Sequence, residues 1–237
     1  MLFMKSLIPV YVLVICALVA VGFAGSAAVS AIEENAPLSD RHCIVIDAGH
    51  GGVDGGATSC SGILESHINL EISLRLNDLM HLLGMDTVMI RTTDCSVYTE
   101  GESIAAKKVS DLKQRVKMTN ETENALLISI HQNYFTDSRY SGAQVFYCND
   151  GVSRLFANQL QKTFVQTLNK GSNRQAKKCS GIYLMEQVNC TGVLVECGFI
   201  SNPIEEAKIR DAGYQKQLCC VIGSVVSQFL NSDNTIA

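Results

Sequence analysis

Four residues of this chain carry side chains that could bind a metal or move a proton, and three of them follow apolar runs. His50 follows the first run through a short turn rich in glycine, and His131 and Glu196 directly follow two later runs. Glu65 opens a segment with helical periodicity just beyond the turn that carries His50. Two imidazoles and a carboxylate form the ligand set of a hydrolytic zinc site, which keeps a fourth position open. A further carboxylate would serve as the general base for water activated by the metal.

Each residue also has a purely structural interpretation. His131 could simply end a strand, and Glu65 could be a helix N-terminal acid that the helix dipole favours. Glu196 sits among apolar residues, where a lone carboxylate is costly to bury, and that cost favours a functional role. The joint pattern predicts a zinc hydrolase, but spacing alone does not decide which carboxylate is a ligand and which is the base.

The elements that must position these residues alternate along the chain. The sequence predicts strands at 43–47, 87–90, 125–130, 143–148, 181–184 and 192–195. It predicts helices at 65–83, 110–122, 152–169, 203–210 and 214–230. Alternation of this kind is typical of a single α/β domain, with a mostly parallel or mixed central sheet of about six strands flanked by helices. In such sheets ligands bind outside the carboxyl ends of the strands, so the residues that end them can converge.

The turn after the first strand contains Gly49, Gly51 and Gly52, which let the backbone reverse sharply around His50. Asp47 and Asp54 flank this turn, and Asp47 is a candidate for orienting a ligand histidine. His42, His67 and His81 are predicted to lie at the surface, and Arg91 and Asn133 are candidates for substrate contact to which the sequence assigns no role.

The N-terminal part of the chain has the composition of an export segment. Residues 6–32 carry no charge, and small residues follow a long apolar stretch. This order predicts that residues 1–31 are a signal peptide or an N-terminal membrane anchor. We expect the protein to contact a membrane only through this segment. Residues 32–41 read as a linker, 42–231 as the catalytic domain and 232–237 as a tail.

Composition and cysteine usage set further bounds. A net charge of −4 without a long basic run excludes a nucleic-acid-binding role. Of ten cysteines, Cys16 lies in the apolar N-terminal segment, and the other nine form no CxxC pair. They are predicted to be mainly buried free thiols, with one disulfide left open.

Four stretches of the chain together resemble the zinc-dependent N-acetylmuramoyl-L-alanine amidases. In the order typical of that family, they are residues 45–52, Glu65 with 69–70, residues 129–133 and residues 195–202. The resemblance implies that His50, Glu65 and His131 bind Zn²⁺ and that Glu196 is the catalytic base. It also implies an α/β fold with a twisted central sheet, in agreement with the alternation described above.

The resemblance further implies a peptidoglycan substrate. The reaction would hydrolyse the amide between the lactyl group of N-acetylmuramic acid and the L-alanine of the stem peptide. A short exported chain with a single domain is similar to the germination-specific spore-cortex amidases, which remove stem peptides so that muramic lactam can form. Some of these depend on an activating lipoprotein partner. The expected location is therefore the cell wall or the forespore intermembrane space.

Three alternatives stay open. The chain could be a vegetative amidase of cell-wall turnover or cell separation. It could be a non-catalytic wall-binding protein on the same fold, although a pure binder has no need of Glu196. It could also be a different zinc hydrolase, such as a peptidase or a deacetylase.

Overall fold

A six-stranded mixed sheet forms the centre of this computed structural model, which describes residues 41–233. The strands are β1 (Cys43–Ala48), β2 (Asp86–Met89), β3 (Ala125–Asn133), β4 (Gln144–Tyr147), β5 (Lys177–Lys178) and β6 (Thr191–Phe199). The helices are α1 (Glu65–Leu82), α2 (Ile104–Glu121), α3 (Val152–Thr167), α4 (Tyr183–Gln187), α5 (Pro203–Arg210) and α6 (Ala212–Asp233).

The strand order is β2-β1-β3-β6-β4-β5, with β1, β2, β3 and β6 parallel to one another. β4 runs antiparallel to β6, and β5 runs parallel to β4. The predicted fold class, an α/β domain with a mixed sheet of six strands flanked by helices, is confirmed.

The central strands are nearly continuous apolar runs because helices cover both faces of the sheet. One face packs against α1, α3 and α6 and includes Ile44, Ile46 and Ile128. The other face packs against α2 and α4 and includes Val45 and Leu127. Since side chains alternate along a strand, the polar residues at the carboxyl ends of β1, β3 and β6 share this second face.

Two predicted elements differ from the structure. Helix α2 begins at Ile104 rather than at residue 110, because the Ser103 hydroxyl accepts a hydrogen bond from the Ala106 amide and caps it. Residues 181–184 do not form a strand, and the chain enters α4 at Tyr183. A short apolar run fits a strand or a helix equally well, and here the edge strand is β5 instead.

β3 and β6 also extend beyond the residues predicted to end them. His131 and Glu196 are paired directly across the two strands, and the register shifts between His131 and Asn133. The shift is a bulge of the kind that redirects side chains near functional sites.

The predicted leader at 1–31 and all but the last residue of the predicted linker lie outside the described residues. Between residues 41 and 233, no helix is both long and apolar enough to cross a membrane. The nine cysteines in this part of the chain are free thiols, and four of them are buried: Cys148, Cys179, Cys197 and Cys219.

Candidate metal centre

The turn after β1 holds His50 in a backbone conformation that few side chains adopt. His50 has a φ of 61°, and Gly51 and Gly52 also have positive φ values of 133° and 57°. Two buried arginines fix this turn by donating to its carbonyl groups. Arg91 donates to Ala48 O at 2.8 Å, and Arg115 donates to His50 O at 2.7 Å. The turn is therefore rigid, as a site that must hold a ligand in place requires.

His50, Glu65 and His131 converge at the carboxyl edge of the sheet. One ligand atom from each lies within 4.8 Å of the others. Glu65 is buried at the start of α1, with Oε1 3.0 Å from His131 Nδ1 and Oε2 3.3 Å from His50 Nε2. The three residues predicted as metal ligands therefore form one cluster that could hold a metal ion.

Asp54, and not Asp47, orients His50. The Asp54 carboxylate lies 2.9 Å from His50 Nδ1, which leaves Nε2 facing the cluster, and Lys108 Nζ lies 2.8 Å from Asp54. The prediction that Asp47 orients a ligand histidine is wrong, because its carboxylate forms a buried ion pair with Arg115. The spacing of four residues between His50 and Asp54 in one loop was the available sequence signal.

Two glycines leave room for the cluster. A Cβ atom at Gly49 would lie 2.2 Å from His131 Nε2, and one at Gly56 would lie 2.7 Å from Glu65 Oε2. Any side chain at Gly49 would displace the His131 ring. The glycines of this loop therefore let the backbone lie close to the side chains of the cluster, in addition to allowing the turn.

Glu196 lies beside the cluster. It is paired with His131 across the β3–β6 ladder, and within residues 41–233 no group donates a hydrogen bond to its solvent-shielded Oε2. Burial raises the pKa of Glu196 to about 7, which the charges of His131 and His50 only partly oppose. A half-buried carboxylate with one shielded oxygen that no described residue satisfies, next to two histidines, is typical of a functional group rather than a structural one.

The charges within the cluster stabilise one another. Burial disfavours the charged form of His50, but hydrogen bonds and charges from Glu65 and Asp54 outweigh it and raise its pKa to about 9. Burial opposes ionisation of Glu65, yet the two histidines hold its pKa well below the usual range. In the absence of a cation, these groups therefore compensate one another as an ion-paired set.

The cluster opens into a cavity of about 420 Å³ whose walls include Lys108 and Leu112 of α2 and Tyr183 of α4. Sequence reasoning missed these three residues, because nothing in their local pattern points to the cavity. His67 lies apart, in an exposed pair with Asp94 at 3.1 Å.

Arg91 is buried, and its side chain donates to backbone carbonyls, among them Gly49 O and Ser66 O. It is therefore committed to the structure of the turn rather than to a substrate.

The fold and the site together define a class: an α/β domain with a mixed sheet whose described residues contain one candidate metal cluster, with a carboxylate beside it. The sequence matches the family model for N-acetylmuramoyl-L-alanine amidase over residues 44–226. The chain belongs to this family, and it is a peptidoglycan amidase.

Relatives with known names support the assignment. The chain is 37% identical over 192 residues to the germination-specific N-acetylmuramoyl-L-alanine amidase of Bacillus subtilis, covering 78% of each chain. It is 29% identical to the amidase LytC of the same species, covering 73% of this chain but 32% of LytC.

A solved structure has the same fold. The CwlD amidase from Clostridioides difficile, in complex with the GerS lipoprotein, superposes with a TM-score of 0.77 at 33% identity. The match covers 81% of this chain and 100% of that one.

Proposed function

We propose that His50, Glu65 and His131 bind zinc and that Glu196 is the general base of amide hydrolysis. The observation that carries the proposal is the convergence of three ligand atoms within 4.8 Å beside an unpartnered carboxylate. Two imidazole nitrogens and one carboxylate oxygen suit zinc, whereas calcium and magnesium prefer sites built from oxygen atoms alone.

When bound, zinc supplies a Lewis acid that polarises the lactyl carbonyl group and acidifies water. The protein's own groups do the rest. Asp54 fixes the tautomer of His50, so that Nε2 carries the free electron pair. Glu196 takes a proton from the attacking water and delivers it to the alanine nitrogen as the amide breaks. A carboxyl with a pKa near neutrality suits a group that must accept a proton and then release it.

Digestion of purified peptidoglycan, with and without a chelator and followed by mass spectrometry, tests the proposal. We expect release of intact stem peptides with a free L-alanine amine, lost with chelator and restored by zinc. Release of acetate or cleavage within the peptide would favour another zinc hydrolase. Wall binding without any metal-dependent product would favour the non-catalytic alternative.

The biological role that we propose is maturation of the spore cortex for germination. The 37% identity to a germination-specific amidase, over 78% of both chains, supports it. A deletion strain should form spores whose cortex lacks muramic lactam and which fail to germinate. Normal spores together with unseparated vegetative cells would contradict this role.

We also propose that the protein is exported and binds a lipoprotein partner. The uncharged segment at residues 6–32 supports export, and the CwlD complex with GerS supports such a partner. Fractionation of cells producing the full chain, followed by N-terminal sequencing, will distinguish a cleaved signal peptide from a retained anchor. Affinity purification from sporulating cells should recover a lipoprotein.

A further inference from the structure

Helix α2 presents a stripe of charged side chains to the loop that carries His50. Lys108, Asp111 and Arg115 are separated by three and four positions, so they lie on one side of the helix. All three line the cavity at the metal centre together with His50. The helix therefore contacts the metal centre through side chains on the same face of the sheet.

Two residues of this stripe support opposite ends of His50. Arg115 is buried and donates to the backbone carbonyl oxygen of His50 at 2.7 Å. Lys108 acts on the ring through Asp54. Its Nζ lies 2.8 Å from Asp54 Oδ1, and Asp54 Oδ2 lies 2.9 Å from His50 Nδ1. One helix thus contacts this ligand directly at its backbone and through one carboxylate at its ring.

The loop that carries Asp54 has few other contacts to fix the carboxylate. Two glycines precede Asp54 and two follow it, and glycine leaves a backbone more conformational freedom than any other residue. Besides His50 and Lys108, the Gly56 amide donates to the carboxylate, at 3.3 Å. Within residues 41–233, Lys108 is the only lysine or arginine within ion-pair distance of Asp54.

The exposure of Lys108 indicates where its effect should appear. The side chain is 47% exposed, and ion pairs at such positions contribute little to the stability of a fold. A metal site responds more strongly, because the residues that orient a ligand histidine change metal affinity by about 10- to 100-fold when they are lost. We therefore look for the effect of Lys108 in metal binding rather than in global unfolding.

We propose that Lys108 is a positioning residue that holds the Asp54 carboxylate against His50 Nδ1 and so keeps His50 Nε2 directed at the cluster. This proposal rests on the proposed function, since it takes His50 as a zinc ligand. Lys108 acts through Asp54 and makes no contact with the reacting atoms.

Zinc affinity of the full-length protein, measured by competition with a chromophoric chelator, tests the proposal. The variants are Lys108→Met, Lys108→Arg, Asp54→Ala and the double variant Lys108→Met/Asp54→Ala. The control is Lys113→Met, which removes the same charge from an exposed position on the same helix. The cycle of single and double variants separates an effect through Asp54 from an independent one.

We expect Lys108→Met to raise the Kd for zinc by about three- to fivefold, as loss of one exposed ion pair allows. Lys108→Arg keeps the charge and the donor, so it should restore most of the affinity. Asp54→Ala should raise the Kd by about 10- to 100-fold, and adding Lys108→Met to it should cause no further loss. Lys113→Met should bind zinc as the wild type does.

A second measurement does not depend on the metal. Gly51 and Asp54 close the loop through their backbones, with Gly51 N 2.7 Å from Asp54 O and Asp54 N 3.1 Å from Gly51 O. In the metal-free protein, Lys108→Met should speed hydrogen exchange of these two amides, because the loop loses its contact with α2. Lys113→Met should leave their exchange unchanged.

A wild-type Kd in Lys108→Met would overturn the proposal, and so would an equal loss of affinity with and without Asp54. A raised KM at saturating zinc with an unchanged Kd would also overturn it, since Lys108 would then contact the substrate. If the wild type itself binds no zinc, the proposed function fails. The exchange measurement then decides the role of Lys108 by itself, and unchanged exchange in Lys108→Met would reject it.

Discussion

Replacing Glu196 with glutamine should lower kcat sharply and also stabilise the metal-free protein above neutral pH. Burial moves the pKa of this carboxyl from 4.5 to about 7, so the folded state favours the protonated form. For such a group, stability is fully present below pH 4.5 and is lost as pH rises through about 7. At pH 8 the ionised carboxylate costs up to about 3 kcal/mol, at about 1.4 kcal/mol for each pH unit of displacement.

Glutamine removes the cost of burying an ionised group. Within residues 41–233 no group donates a hydrogen bond to Glu196 Oε2, so a glutamine amide and the protonated carboxyl group leave the same position unsatisfied, and this cost of about 1–2 kcal/mol nearly cancels between the two proteins. We therefore expect a gain of up to about 3 kcal/mol at pH 8 and little difference at pH 4. A bound divalent cation stabilises the carboxylate, so zinc should reduce the gain.

Urea unfolding of metal-free wild type and Glu196→Gln across pH 4–9 measures the effect. Glu206→Gln is the matched control, because its buried carboxylate accepts hydrogen bonds from Ser59 and Ser61, which hold its pKa below the usual range despite burial. This control should lose stability at pH 8. A Glu196→Gln protein that is less stable than wild type at pH 8, or whose difference does not vary with pH, would refute the reasoning. In the zinc-loaded enzyme, kcat should fall by about 100- to 10,000-fold while zinc stays bound.

Four further predictions concern the cluster and its support. Removing a ligand by His50→Ala should weaken zinc binding by more than about 100-fold, since loss of an outer partner alone costs about 10- to 100-fold. In the wild type, zinc affinity should rise with pH up to about 9, because His50 must lose its proton to bind, and calorimetry in buffers of different ionisation enthalpy should detect the proton released. Gly49→Ala should weaken zinc binding by displacing His131, with little change in secondary structure by circular dichroism. Arg115→Met leaves the buried Asp47 carboxylate unpaired and should destabilise the protein by about 3–5 kcal/mol in chemical unfolding, whereas a loss below about 1 kcal/mol would contradict the role of this ion pair.

Much of the fold was readable from local patterns. Apolar runs bounded by glycine predicted the central strands, and the periodicity of Ile68, Ile72 and Leu76 predicted α1, because burial against the sheet requires these repeats. The prediction of a strand at 181–184 is wrong because a run of four residues is too short for its periodicity to distinguish a strand from a helix. The beginning of α2 was missed because its first residues are weakly amphipathic and its cap, Ser103, is a common surface residue.

The sequence by itself determined the three residues of the candidate metal cluster and the edge of the sheet where they meet. His50 follows β1, and His131 and Glu196 lie near the carboxyl ends of β3 and β6. Because parallel strands end at one edge of the sheet, their convergence follows from local order alone.

Only the tertiary structure decided which aspartate supports His50. Asp47 pairs with Arg115, 68 positions away, and Asp54 is the aspartate that contacts the histidine. Contacts of this kind depend on strand pairing and helix packing between distant segments, and such pairing leaves no periodic trace in the residues that it brings together.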